Sequence, residues 1–317
     1  MKQAARWSPI EIAALLFCFA AIASVLLPLA ATARENARAT NCKQRLGKLA
    51  GACLSFADVH AKSLPSNRRQ PHVSWNALIL PHMERQDLYD QYDLSAEWWE
   101  TKNRTVGATY VAELTCPAAP HPQRMIPLLD PEGKEFTAAA TDYVASAGAY
   151  LHHNKQEKLY RGALASPGRF YGASNVTTGH AVKLAEITDG LSQTALIVEM
   201  ADKPNTWRAG KMFGEENSQY AAKPLVEGYS FGQWVGPNWN HLRSYDKQGL
   251  NQFGDCAVNC SNSGSIYGFH PDFANVAMAD GSVCSVRAGL SQEVMVALVS
   301  IADGELITAA DFTVAAP

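Results

Sequence analysis

His270 is followed nine residues later by Asp280 and Gly281, within the segment GFHPDFANVAMADGSVCSV. A histidine and an aspartate could share a proton relay, but a relay also needs a nucleophile and an orienting partner. The local sequence accounts for these residues differently. Asn275 to Ala279 and Ser282 to Val286 read as two short strands, and the Asp-Gly between them signals a two-residue hairpin turn that needs positive φ. Gly281 lacks the Cβ that penalises such a backbone, and Asp280 tolerates it through local hydrogen bonding. His270 precedes Pro271, which biases it towards an extended conformation facing the hairpin or a neighbouring helix. His270, Asp280 and Gly281 are therefore expected to be structural, and no catalytic residue is assigned.

The chain has seven cysteines. Cys18 lies in an apolar run and reads as a small hydrophobe, leaving Cys42, Cys53, Cys116, Cys256, Cys260 and Cys284 with several connectivities open. Cys42 and Cys53 share a helix face about 16 Å apart, too far for a disulfide. Cys256 and Cys260, in FGDCAVNCSNSGS, are the candidates for a local bridge. Two thiols in this spacing, without a second close pair or a nearby histidine, make a poor zinc signature, so no metal is assigned. Calcium is kept as a minor alternative, because Asp189, Asp202, Asp255 and Asp280 lack the alternating ligand pattern of a self-contained loop. No other cofactor is expected. Adjacent His152 and His153 point to opposite faces of an extended chain. Trp98, Trp99, Trp234 and Trp239 read as core, with a carbohydrate or peptide surface as the alternative. No phosphate-cradling glycine loop, H-E-x-x-H pair or G-x-S-x-G elbow occurs.

These residues must be positioned by a chain that starts with a long helix. From Ile12 to Leu29 eighteen consecutive residues carry no charge, enough to cross most of a hydrocarbon core about 30 Å thick. Ser8-Pro9-Ile10-Glu11 forms a capping box with proline at the first helical position. Glu11 at the edge of the run also invites pairing with a cation on a neighbouring subunit. A cleavable signal is the competing reading, with Lys2 and Arg6 as the basic start and Ala31-Thr32-Ala33 as the cleavage site. The helical pattern does not stop there, however. Ala39, Cys42, Leu46, Leu49, Cys53, Phe56 and His60 continue it as an amphipathic stripe. Pro28 is expected to kink the helix near the outer membrane edge.

Glu11, the apolar run and Pro28, followed by ATARENARATNCKQRLGKLAGACLSF, resemble the N-terminal helix of type IV pilin-like proteins, and especially the DUF1559 family, also catalogued as a type 10 bacterial solute-binding family. The resemblance continues through SWNALILPHMERQDLYDQYDLSAEWW, ELTCPAAP, TDYVASAGAY and KLAEITDGLSQTALIVEM to the His270-x9-Asp280-Gly281 element. It covers nearly the whole chain. One departure bears on processing. Such prepilins place glycine just before the mature start, and here Arg6 and Trp7 occupy the processing position, so an uncleaved, membrane-retained chain is expected.

The positive-inside count does not fix the orientation, since Lys and Arg flank both sides of the span. The resemblance places the domain after the helix outside the cytoplasm, on a single-pass anchor in the inner (cytoplasmic) membrane. The expected organisation is a cytoplasmic start and transmembrane helix over 1–33, its amphipathic continuation over 34–62, and an extracytoplasmic domain over 63–317. Trp75 to Tyr92 reads as a further helix despite Pro81, and Ser291 caps a last one that Gly304 ends. The fold class expected is α+β, with the long helix packed on an antiparallel sheet elaborated by β-rich insertions. The near-neutral net charge of −3 gives no footprint for nucleic acid.

Two functions fit. One is a non-enzymatic structural component of a pilus-like or type II secretion-like assembly, a pseudopilin whose partners associate through the small-residue face of Ala13, Ala14, Ala20, Ala21 and Ala31. The other is a membrane-tethered module binding a glycan or solute.

Overall fold

The computed structural model describes residues 8–66, 68–69, 71–153, 156–167, 170–171, 176–177, 180–213, 232–304 and 307–314. Arg6 and Trp7 lie outside them. One helix, Pro9–Val59, runs for 51 residues, about 77 Å. Its start is set by the expected capping box: Glu11 N donates to Ser8 Oγ at 3.3 Å, and Ser8 N donates to a Glu11 carboxylate oxygen at 2.7 Å. The helix continues through Pro28, where Thr32 Oγ1 donates to the proline carbonyl at 3.0 Å. It ends where Ala61 and Lys62 take positive φ. Of the stripe predicted from the sequence, Cys42, Leu46, Leu49 and Cys53 are buried with Ala50 and Ala57 beside them, Ala39 and Phe56 are half-buried, and His60 at its end is exposed.

A six-stranded sheet receives that face. Its long strand, Tyr143–His153, pairs antiparallel with Gln156–Arg161 and with Ala195–Glu199. Ala195–Glu199 pairs antiparallel with Phe273–Met278, which pairs antiparallel with Val283–Arg287. The edge strand Trp239–Leu242 runs parallel to the long strand, the one exception to the antiparallel pattern in this sheet.

Because strand side chains alternate between faces, the register sorts the core into two layers. Tyr143, Ala145, Ile197 and Ala277 join the layer with the N-terminal helix. Val144, Val198 and Val276 join the other, covered by Met295, Val296 and Leu298 of the helix Gln292–Val299. That helix is capped by Ser291 Oγ, which accepts from Val294 N at 3.3 Å. It ends at Val299, before the expected Gly304, which takes positive φ in the turn beyond.

The expected helix from Trp75 to Tyr92 is broken into three pieces, Trp75–Ile79, Leu80–Met83 and Gln86–Tyr89. Pro81 has no N–H to donate to the preceding turn, and Glu84, at φ 61°, turns the chain before the third piece.

Candidate functional site

The register also places polar residues on the helix-facing side of the sheet. Tyr143 sits opposite Glu199, each two residues from an apolar partner on the same face, and Asn275 N donates to Glu199 Oε2 at 2.7 Å. Three further chain segments converge here. Cys42 comes from the helix, with its Sγ 3.1 Å from Glu199 Oε1 and 3.1 Å from the Tyr143 hydroxyl. Cys116 follows the short turn Ala112–Leu114, with its Sγ 3.5 Å from His270 Nε2. Its position is fixed twice: Cys116 N donates to Asp142 at 2.7 Å, and Arg45 of the helix donates to the Thr115 carbonyl at 2.7 Å. His270 enters just before the strand Phe273–Met278, with Nε2 3.6 Å from Glu199 Oε1 and Nδ1 3.0 Å from Glu35 Oε1. Glu35, 25% exposed, marks the outer edge of the cluster.

The donor atoms of Cys42, Cys116, Glu199 and His270 all lie within 4.8 Å of one another and all four residues are buried. Burial opposes the charge on His270, but hydrogen bonding to Cys42 and Glu199 outweighs it and holds the imidazole up at about 11. Burial likewise works against ionisation of Glu199, and His270 overcomes it, lowering the carboxyl. Burial pushes the Cys116 thiol and the Tyr143 hydroxyl well up. A raised, shielded thiol is a poor nucleophile. The same four groups, two thiols, an imidazole and a carboxylate, are donors that could together hold a cation.

A family model described as a protein of unknown function (DUF1559) matches residues 31–289. The chain belongs to the DUF1559 family. The matched part of this DUF1559 chain contains every residue of the cluster, from Glu35 to His270, and the Asp280-Gly281 turn. No curated protein matches. No solved structure matches either.

The cluster explains the spacing of the His270-x9-Asp280-Gly281 element. A Cβ on Gly281 would stand 3.1 Å from Leu54 Cδ1, so the turn abuts the helix one strand-length beyond the point where His270 meets Glu35 and the Cys42 neighbourhood. The helix rises about 18 Å from Cys42 to Leu54, and the six-residue strand Phe273–Met278 spans about 20 Å. The element is one hairpin strand fastened to the helix at both ends.

The turn itself differs from the two-residue form expected. Gly281 N donates to the Met278 carbonyl at 3.0 Å and Met278 N to the Ser282 carbonyl at 2.8 Å, enclosing Ala279, Asp280 and Gly281. Of Asp280 and Gly281 only the glycine takes positive φ, at 90°. The Asp280 carboxylate instead accepts from Ser282 N at 2.9 Å and from its hydroxyl at 2.6 Å. The added loop residue lets the aspartate stay in an ordinary conformation.

Other candidates lie elsewhere. Cys256 and Cys260 form a disulfide with Cα atoms 6.1 Å apart. Glu11 is engaged in the helix cap and Pro28 lies within the helix. Asp189 accepts from Asp303 N and Gly304 N, each at 3.0 Å, bracing the turn after the last long helix. Asp202 accepts from the Trp207 indole at 2.8 Å. Trp98 and Trp234 are core, and His152 stacks on Phe253.

Sequence reasoning singled out His270 but not Glu35, Cys42, Cys116, Tyr143 or Glu199 as its companions. Glu199 and Cys42 are 157 residues apart, and His270 and Glu35 are 235 apart, so no local spacing links them. A signal was nevertheless present. Of the segments carrying the family resemblance, all but SWNALILPHMERQDLYDQYDLSAEWW contribute a residue to this cluster.

Proposed function

We propose that this DUF1559 protein is a non-enzymatic structural protein of the pilin or pseudopilin kind, anchored in the cytoplasmic membrane with its folded domain outside the cytoplasm. The observation that carries this reading is the division of one helix into two unlike halves. The C-terminal half is buried in the domain from Cys42 onward. The N-terminal half exposes Ile12, Leu15, Leu16, Phe17, Phe19, Ile22, Val25, Leu26, Leu27 and Leu29, and none of its apolar window is buried. Length and composition suit lipid, which would cover these side chains. Ala13, Ala14, Ala20, Ala21 and Ala31 supply small residues through which such helices approach closely. The Cys256–Cys260 disulfide supports an oxidising compartment for the domain.

The test is the intact mass and N-terminal peptide map of protein extracted from host membranes, followed by crosslinking. A chain starting at Trp7 that crosslinks through its helices supports assembly. A chain starting at Met1 or Lys2 that stays monomeric replaces assembly with a tethered binding module for a glycan or solute. A chain starting at Arg34 in the soluble fraction overturns the anchor.

A further inference from the structure

Two sulfurs, an imidazole nitrogen and a carboxylate oxygen, all buried, crowd within 4.8 Å of one another in this chain. In tetrahedral zinc coordination, with sulfur at about 2.3 Å and nitrogen or oxygen at about 2.0–2.2 Å, neighbouring donors stand about 3.3–3.8 Å apart. Here Cys42 Sγ and Glu199 Oε1 are 3.1 Å apart, Cys116 Sγ and His270 Nε2 3.5 Å, and His270 Nε2 and Glu199 Oε1 3.6 Å. The last two separations lie within that range and the first is slightly shorter.

The surrounding contacts are those a metal ligand needs. A ligating histidine usually gives its other ring N–H to a carboxylate, and His270 Nδ1 faces Glu35 at 3.0 Å. The second oxygen of Glu199 is held by Asn275 N at 2.7 Å. The Tyr143 hydroxyl, 3.1 Å from Cys42 Sγ, is placed to donate to a thiolate.

We infer that Cys42, Cys116, Glu199 and His270 form a structural centre for a thiophilic divalent cation, with zinc the ion that the donor set fits best. Two thiolates and an imidazole select against calcium and magnesium, which take oxygen ligands. Four protein ligands in a closed pocket leave no open position for substrate, which is the pattern of a structural and not a catalytic zinc. As the ion enters, the two thiols and the imidazolium give up three protons to bulk water, and each thiol binds as thiolate. His270 releases the proton from Nε2, keeps Nδ1–H on Glu35, and binds through the Nε2 lone pair. Glu199 binds as carboxylate. The ion would join the helix, the sheet and the Cys116 loop at one point. This inference goes beyond the assembly role and stands whichever N-terminus is found.

The experiment uses the full chain in detergent, purified without added metal. Elemental analysis is expected to give about one zinc per chain, and zinc X-ray absorption two sulfurs near about 2.3 Å with two nitrogen or oxygen neighbours near about 2.0 Å. The double variant Cys42→Ser, Cys116→Ser is expected to lose the ion. Glu35→Gln keeps all four ligands and is expected to weaken zinc affinity about 10–100-fold in competition with a chromophoric chelator, with an unchanged circular dichroism spectrum. Should the double variant fail to fold, Co2+ added to chelated wild-type protein is expected to develop thiolate-to-cobalt charge-transfer absorption. Zinc retained by the folded double variant would overturn the inference. So would a Cys42–Cys116 disulfide in protein from the host, or chelated wild type that takes up no Co2+.

Discussion

His270 Nδ1 meets the Glu35 carboxylate at 3.0 Å, joining a residue at the start of a hairpin to one on the helix 235 positions earlier. The imidazole lies between two carboxylates, because its Nε2 is 3.6 Å from Glu199, which is fully buried. A buried carboxylate needs a partner, and His270 supplies it.

His270→Ala is therefore expected to destabilise the domain by about 3–5 kcal/mol, since it leaves Glu199 buried without its partner. Denaturant midpoints measure this. A loss below about 1 kcal/mol, within the range of an exposed ion pair, would show that the pair carries no such weight.

Gly281→Ala combines two costs, positive φ and a Cβ 3.1 Å from Leu54 Cδ1. About 1–2 kcal/mol is expected. Gly289, at φ 71° with no atom within 4 Å of a built Cβ, provides the comparison, and Gly289→Ala should cost less. In a double-mutant cycle, Leu54→Ala should recover the steric part of the Gly281→Ala loss and leave the backbone part.

The fold was legible in the sequence where the pattern was long or the turn chemistry local. The helix stripe, the capping box and the strands flanking Asp280 all follow from side-chain spacing. The break at Pro81 was not legible, because the apolar positions of Trp75 to Tyr92 survive in three short pieces that packing holds together. The cluster was illegible for another reason. Glu199 lies in the apolar run of a central strand and Cys42 in a helix stripe, where each looks like an ordinary position, and only the pairing register brings them face to face.

Lys203 gives the domain a pH response of its own. Burial, reinforced by the Arg243 charge, pushes its ammonium from 10.5 down to about 7. Between these values the unfolded chain holds a proton that the folded chain has released, so this contribution to stability rises as pH rises from 7 towards 10.5. Lys203→Met is expected to remove that rise, seen in urea midpoints compared across this range.

A chain starting at Arg34 is expected to be folded and soluble without detergent. It lacks the exposed apolar half of the helix, while the buried helix residues begin at Cys42 and Glu35 is retained. Sedimentation and circular dichroism check both halves of the expectation.

The Cys256–Cys260 bridge closes a short loop, with a sequence separation of 4. Cys256→Ser with Cys260→Ser, or reduction, should cost about 2 kcal/mol by the chain-entropy relation, read as a lower thermal midpoint.

The hairpin strand lies along the helix, meeting it at Glu35 and again at Leu54. A pull on the N-terminal end of the helix, directed down its axis, is thus met in shear over the whole strand and not by contacts peeling one at a time. Glu35 and His270 stand first in the line of force, and the buried cluster behind them acts as the rivet that spreads the load into the sheet.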